Sequence, residues 1–264
     1  MATTVDIKKL LEAGAHFGHQ TSRWHPRMAP YIHSKREGNH IIDLTKTVQS
    51  LDKALAFLAQ TAAGKQILLV STKRQAKDKV KQVAMATNMP YVTERWLGGM
   101  MTNTATIGKR IKHLKDLESR MISGELAARY SKLEVQRLQD EIDEMNHLYG
   151  GVKDMSGQPG AVFVVDVTHD EIAVKEARKL GIPVVALVDT NADPSQITYP
   201  IPANDDAAKT IDLILDYVQT AIEAGQKKAA KKPADKTEPA DKTTEKTKAE
   251  TPAKTEAKTD KAEK

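Results

Sequence analysis

Acids, histidines and cations fall into a few short runs of this chain, and each run suggests its own chemistry. Asp189 and Asp193 in DTNADP, at the end of an apolar run, and Asp205-Asp206 in PANDDA are the candidate catalytic or metal-binding acids. Carboxylates after a strand are where an α/β enzyme would hold Mg²⁺. The same residue types also make turns and N-caps, and Asn204 or Asp205 suits the cap of the last helix. His16 and His19 lie in a segment, residues 16–40, that holds five of the eight histidines. Joined to Asp189 and Asp205, they would form a structural divalent-ion site for zinc or magnesium, mixed nitrogen and oxygen donors favouring zinc.

The cations suggest a polyanion. Two Arg-Trp pairs, Arg23-Trp24 and Arg95-Trp96, hold both tryptophans, the second inside the run ERWLGGMMTN. Arg27, Lys35 and Arg36 follow the first pair, Lys73 and Arg74 open KRQAKDKVK, and Lys109, Arg110, Lys112 and Lys115 cluster beyond the second pair. Lys and Arg neutralise phosphates and release counterions, while Trp and Arg planes stack on exposed bases. Any one cluster can be a solvated helix face, and a tryptophan can equally lock a loop onto a sheet. Their concentration in one half of the chain favours nucleic acid.

Charge is unevenly spread. Residues 1–115 hold 19 Lys and Arg against 7 Asp and Glu, residues 116–224 hold 9 against 20, and residues 225–264 carry 12 lysines against 8 acids. A basic surface for a polyanion and an acidic one for protein neighbours would follow, provided the fold keeps the halves apart. The chain lacks cysteine, which removes disulfides, thiolate metal sites and cysteine nucleophiles. No apolar run approaches the roughly 18–20 residues of a membrane span, so a soluble cytoplasmic protein is expected.

The elements that must position these residues alternate. Gln66–Ser71, Ala161–Asp166 and Pro183–Asp189 are short, apolar and β-branched, as strands buried on both faces should be. Helical patterns over Thr47–Ala63, Gln75–Thr87, Asp170–Leu180 and Asp205–Ala224 complete a parallel α/β sheet flanked by helices. A short amphipathic helix opens the chain, and Tyr31–Asp43 reads as a β-hairpin turning at Lys35–Asn39. Ile107, Ile111, Leu114, Leu117 and Met121, then Leu133, Leu138, Ile142, Met145 and Tyr149, give two helices with one apolar seam each. Ser131 with Glu134 is a capping-box signature, and Gly150-Gly151 ends the second helix. These helices predict a protruding antiparallel coiled-coil hairpin. The expected organisation is an α/β domain over 1–103 and 152–224, an inserted hairpin over 104–151, and a disordered tail over 225–264. The tail has no apolar residue larger than alanine to offset its ordering entropy.

Nucleotide-enzyme signatures are missing: there is no G-x-x-x-x-G-K-[ST], and no G-x-G-x-x-G after a strand. The rival to nucleic-acid binding is a Mg²⁺-dependent α/β enzyme acting on a phosphorylated small molecule through Asp189, Asp193 and Asp205. A free RNA-binding regulator would show the same basic motifs.

The runs Gly14–Ile32, His40–Val48, Glu94–Asn103, Val162–Val167, Ala177–Pro194 and Tyr199–Ala207 resemble, in order, the bacterial ribosomal protein S-two family of the small subunit. The resemblance implies a flavodoxin-like domain with a helical hairpin, no catalysis and no small-molecule substrate. It further implies binding to small-subunit ribosomal RNA near the junction of head and body, and help in holding the mRNA-binding protein S-one. Carried over, Trp24 and Trp96 with their arginines, and the basic residues at the hairpin base, are the RNA or assembly contacts. Trp24-His25-Pro26-Arg27 stands where the family usually has Trp-Asn-Pro-Lys. His33-Ser34-Lys35-Arg36-Glu37-Gly38 stands where it has a small or aromatic pair and Arg-Asn-Gly. Positive charge survives both changes, so individual contacts differ more than the binding they serve.

Overall fold

A computed structural model of the chain describes residues 5–231. Asp6 caps a short helix α1 (Ile7–Glu12), its side chain accepting from the Lys8 amide. Strands β1 (Phe17–Gln20), β2 (Ile32–Arg36) and β3 (Asn39–Ile42) then form a small antiparallel sheet in the order β1-β3-β2. The β2–β3 connection is the expected hairpin, closed by Glu37 and Gly38, both at positive φ.

The main sheet is parallel and five-stranded. Its members are β4 (Ile67–Val70), β5 (Tyr91–Val92), β6 (Ala161–Val164), β7 (Val184–Val188) and β8 (Tyr199–Pro202), in the order β5-β4-β6-β7-β8. The connecting helices are α2 (Leu44–Ala62), α3 (Lys77–Thr87), α7 (Glu171–Lys179) and α8 (Ala208–Lys231). Alternate strand residues serve two cores, as the pleat requires. Ile67, Leu69, Phe163, Val185 and Leu187 face the core that includes buried residues of α2, α3 and α8, while Leu68, Val70, Val162, Val164 and Val184 face the other, with Ala173, Val174 and Ala177 of α7. The direction of strand addition reverses between β4 and β6, so the loops leaving their carboxyl ends diverge and leave a crevice there.

Between β5 and β6 the chain makes α4 (Thr104–Ile122), a short α5 (Glu125–Arg129) and α6 (Lys132–Tyr149). Leu114 and Leu117 of α4 and Ile142, Met145 and Tyr149 of α6 are buried, and they continue the α7-side core rather than sealing off a separate one. Ser131 and Glu134 make the expected reciprocal capping box. Gly150 ends α6 in right-handed rather than left-handed geometry, at φ −53°. Crowding explains the glycine pair better than handedness: a Cβ on Gly151 would stand 2.2 Å from the Tyr91 carbonyl oxygen.

The first residues of the expected tail, 225–231, are helical. α8 runs through Gly225 to Lys231 because Gly225 packs against α2, where a Cβ would meet the Ala59 carbonyl oxygen at 2.1 Å. The remainder of the expected tail, residues 232–264, lies outside the described residues. Among the described residues, no helix is long and apolar enough to cross a membrane.

Candidate nucleic-acid interface and the acidic cluster beside it

The carboxyl ends of the strands bring together groups from distant parts of the chain. Lys73 reaches from the β4–α3 loop to Asp205 Oδ1 (2.8 Å), Asp206 Oδ1 (2.7 Å) and Asp166 Oδ2 (3.1 Å). Behind them His19 of β1 bridges two acids, Nδ1 lying 3.1 Å from Asp189 Oδ2 and Nε2 3.3 Å from Asp206 Oδ2. Burial, reinforced by the charges of Asp166 and Asp189, pushes the Asp205 carboxyl up to about 7 despite Lys73. The hydrogen bond to Asp189 raises His19 above its ordinary value against the opposing effect of burial. Burial also opposes the Lys73 charge, but the charge of Asp205 and hydrogen bonds to Asp205 and Asp206 outweigh it and hold the ammonium above its usual range. An open cavity of about 310 Å³, lined in part by His19, Arg23, Asp189 and Asp206, adjoins the cluster.

Ligand atoms of His19, Asp205 and Asp206 lie within 4.8 Å of one another, which is metal-binding spacing. Asp189 stands behind His19 at Nδ1, where a carboxylate fixes a ligating imidazole and aims the other nitrogen at an ion. Asp206 therefore enters the group, and His16 stands outside it, its ring centroid 4.0 Å from that of Phe17. Asp193 is employed elsewhere: it caps the 3-10 turn Pro194–Gln196 and pairs with Arg27 Nη1 at 2.9 Å.

The two Arg-Trp pairs have different fates. Trp96 is 7 % exposed, packed with Met100 and Met101, and its Nε1 donates to Glu176 at 3.1 Å. Trp24 is 37 % exposed, with the Lys35 ammonium 5.9 Å above its ring and the buried His40 beside it. One indole locks a loop; the other offers a face. Arg23, Arg74 and Arg95 are exposed, as are Lys109, Arg110, Lys112 and Lys115 along α4. Lys115 pairs with Asp154 at 2.9 Å and Arg36 approaches Glu37 at 3.8 Å. Among the described residues, Arg23, Arg74, Arg95, Lys109, Arg110 and Lys112 make no ion pair, so their charge faces solvent. Lys73, by contrast, is enclosed by carboxylates.

The residue that sequence reasoning missed is Glu176. It is an acid three positions after Ala173, on the apolar side of α7, and that placement is the one signal that marks it. Its carboxylate organises the whole of the loop that leads into α4.

Comparison with known proteins bears on which of these surfaces matters. The family described as Ribosomal protein S2 matches residues 10–225. The chain is 49 % identical over 225 residues to the small ribosomal subunit protein uS2 of Roseiflexus sp. (strain RS-1), covering 85 % of this chain and 86 % of that protein. It is 49 % identical over 228 residues to the uS2 protein of Flavobacterium johnsoniae, covering 85 % and 89 %, and 48 % identical over 225 residues to that of Chloroflexus aggregans, covering 85 % and 94 %. A match spanning the sheet, the helical hairpin and most of α8 covers every residue of both surfaces, and on it the chain belongs to the ribosomal protein S2 family.

Proposed function

We propose that this chain is a non-catalytic structural constituent of the small ribosomal subunit, acting in translation in the cytoplasm. It binds small-subunit ribosomal RNA near the head–body junction and presents its acidic segments to neighbouring proteins, helping to hold S-one. The observation that carries the RNA contact is the set of exposed cations without acidic partners at the foot of the hairpin: Arg95, Lys109, Arg110 and Lys112. Trp24, with Lys35 above it and Arg23 adjacent, adds a stacking face. The enzyme reading loses support because Asp193, which it needs beside Asp189 and Asp205, is tied to Arg27 and Ser195.

Each lost phosphate contact flattens the dependence of log affinity on log salt by about 0.7–0.9. Arg95→Ala and Arg110→Ala are therefore expected to weaken binding to small-subunit RNA, to flatten the salt slope, and to open protected positions in a footprint. Unchanged slopes and footprints in both variants would remove these residues from the interface.

The same reading includes a structural divalent ion held by His19, Asp205 and Asp206, with Asp189 orienting the imidazole. Bound there, the ion would draw together the small sheet and the β8–α8 loop without entering any reaction. Metal analysis of protein purified without chelator is expected to find zinc at close to one ion per chain and much less in Asp206→Asn; equal metal content in the two proteins would exclude this site.

A further inference from the structure

We propose that Glu176 is a positioning residue for RNA binding: its buried carboxylate folds the loop after β5 around itself and thereby sets the direction in which α4 leaves the body. The inference rests on the reading of α4 as an RNA-binding element. Glu176 Oε1 accepts from Trp96 Nε1 (3.1 Å) and the Gly99 amide (2.7 Å). Oε2 accepts from the Met101 and Thr102 amides, both at 3.0 Å, and from Thr102 Oγ1 at 3.1 Å. Five donors fill the four or so lone-pair sites of a carboxylate, and every one of them comes from Trp96 to Thr102.

The charge is balanced by N–H dipoles, since Glu176, 7 % exposed, makes no ion pair among the described residues. This is an anion nest whose anion belongs to the same chain, supplied by a helix about 75 residues downstream. Burial alone would raise the carboxyl, but the bonds from Gly99, Trp96, Met101 and Thr102 hold it below its ordinary value.

Two features make this grip decisive for α4. Asn103, at the N-cap position, makes no capping hydrogen bond with its side chain, and its amide donates instead to the Gly99 carbonyl at 2.7 Å, so the start of the helix is fixed through the loop that Glu176 holds. Thr102 lies two residues before the first residue of α4, and the exposed cations follow within the next turns. At 1.5 Å per residue Lys115 stands about 17 Å along the helix, so a tilt of roughly 10° at the foot moves its position by about 3 Å. That is the length of a phosphate contact.

The test uses the full chain with Glu176→Gln, whose amide group turns donors toward backbone donors, and with Glu176→Asp, which keeps the charge but withdraws it by one methylene. Because the chain has no cysteine, Asp52→Cys on α2 and Ser123→Cys beyond α4 can carry nitroxide pairs that report hairpin direction. We expect the interspin distance distribution to shift or broaden in both Glu176 variants. Amides of Gly99, Met101 and Thr102 should exchange at least tenfold faster, while those of β4, β6 and β7 keep their protection. Affinity for small-subunit RNA should fall at least fivefold and the salt slope should flatten, since cations carried off their phosphates no longer release counterions. An unchanged distance distribution in both variants, or wild-type affinity alongside a loosened loop, would overturn the proposal. A Lys109→Ala/Arg110→Ala/Lys112→Ala variant isolates the underlying reading: if it binds RNA like the parent, the RNA-binding role of α4 fails, whatever the Glu176 distances show.

Discussion

Lys73 illustrates how far a residue's role departs from its type. By sequence it opens a basic run, yet its ammonium joins Asp166, Asp205 and Asp206, acids that come from the other side of the β4–β6 boundary. Taking one partner from a buried ion-paired group leaves uncompensated charge, typically costing about 3–5 kcal/mol. Here the cost depends on pH, because Asp205 can relieve it by taking up a proton. Asp205 rises in the fold from 3.8 to about 7, so the native state holds this proton more tightly than the unfolded chain. Its contribution to stability is therefore fully present below pH 3.8 and is lost as pH rises through about 7. His19, also raised, acts in the same sense. In EDTA, the urea midpoint of the parent is expected to fall as pH rises from about 4 to 7 and to level off above neutrality. Lys73→Met should be destabilised by about 3 kcal/mol at alkaline pH and by clearly less in mild acid. A loss independent of pH would mean that Asp205 is not the group left stranded.

At the scale of elements, the hairpin is held at two feet of different kinds. The outgoing helix α4 is set by Glu176 of α7, and the returning chain is set by Gly151, whose carbonyl accepts from the Tyr91 amide and whose missing side chain lets β5 approach. Glu118 of α4 ties the feet together, accepting from Asn146 and Lys153. Much of this architecture was legible, because buried parallel strands announce themselves as continuous β-branched runs and seam residues recur at helical spacing. The elements that escaped lack those signals. β5 is two residues long, and β8 reads Tyr-Pro-Ile-Pro, with prolines tolerated because it is an edge strand bonded to β7 alone. In the candidate site, the exposed cations of α4 could be named from sequence, since surface charge needs no partner to exist. The Glu176 grip and the inward turn of Lys73 could not, because both depend on which helix or loop the topology brings alongside.

For the whole molecule, the uneven charge of the chain becomes a spatial pattern by two routes. The sheet order keeps β5 and β4, from the basic segment, on one side of β6, β7 and β8, from the acidic one. Along the hairpin, α4 carries Lys109, Arg110 and Lys112 while α6 beside it exposes Asp140, Glu141, Asp143 and Glu144. An acidic helix next to a basic one weakens binding to any polyanion that does not approach from the α4 side, so it favours one docking direction over general adhesion. Packed helix axes stand about 8–10 Å apart. At roughly 10 Å in water, unit charges interact by about 0.4 kcal/mol, or about a factor of two in affinity. Asp143→Asn with Glu144→Gln is thus expected to strengthen binding to unrelated single-stranded RNA by about fourfold at low salt. On the proposed approach of small-subunit RNA from the basic side, that RNA should gain less, so discrimination between the two falls. At 0.15 M salt the Debye length is about 8 Å, and the gain should largely vanish above that concentration. Filter binding of both RNAs across a salt series would decide the matter: equal gains for the two, or a gain that persists at high salt, would show that α6 does not orient the RNA.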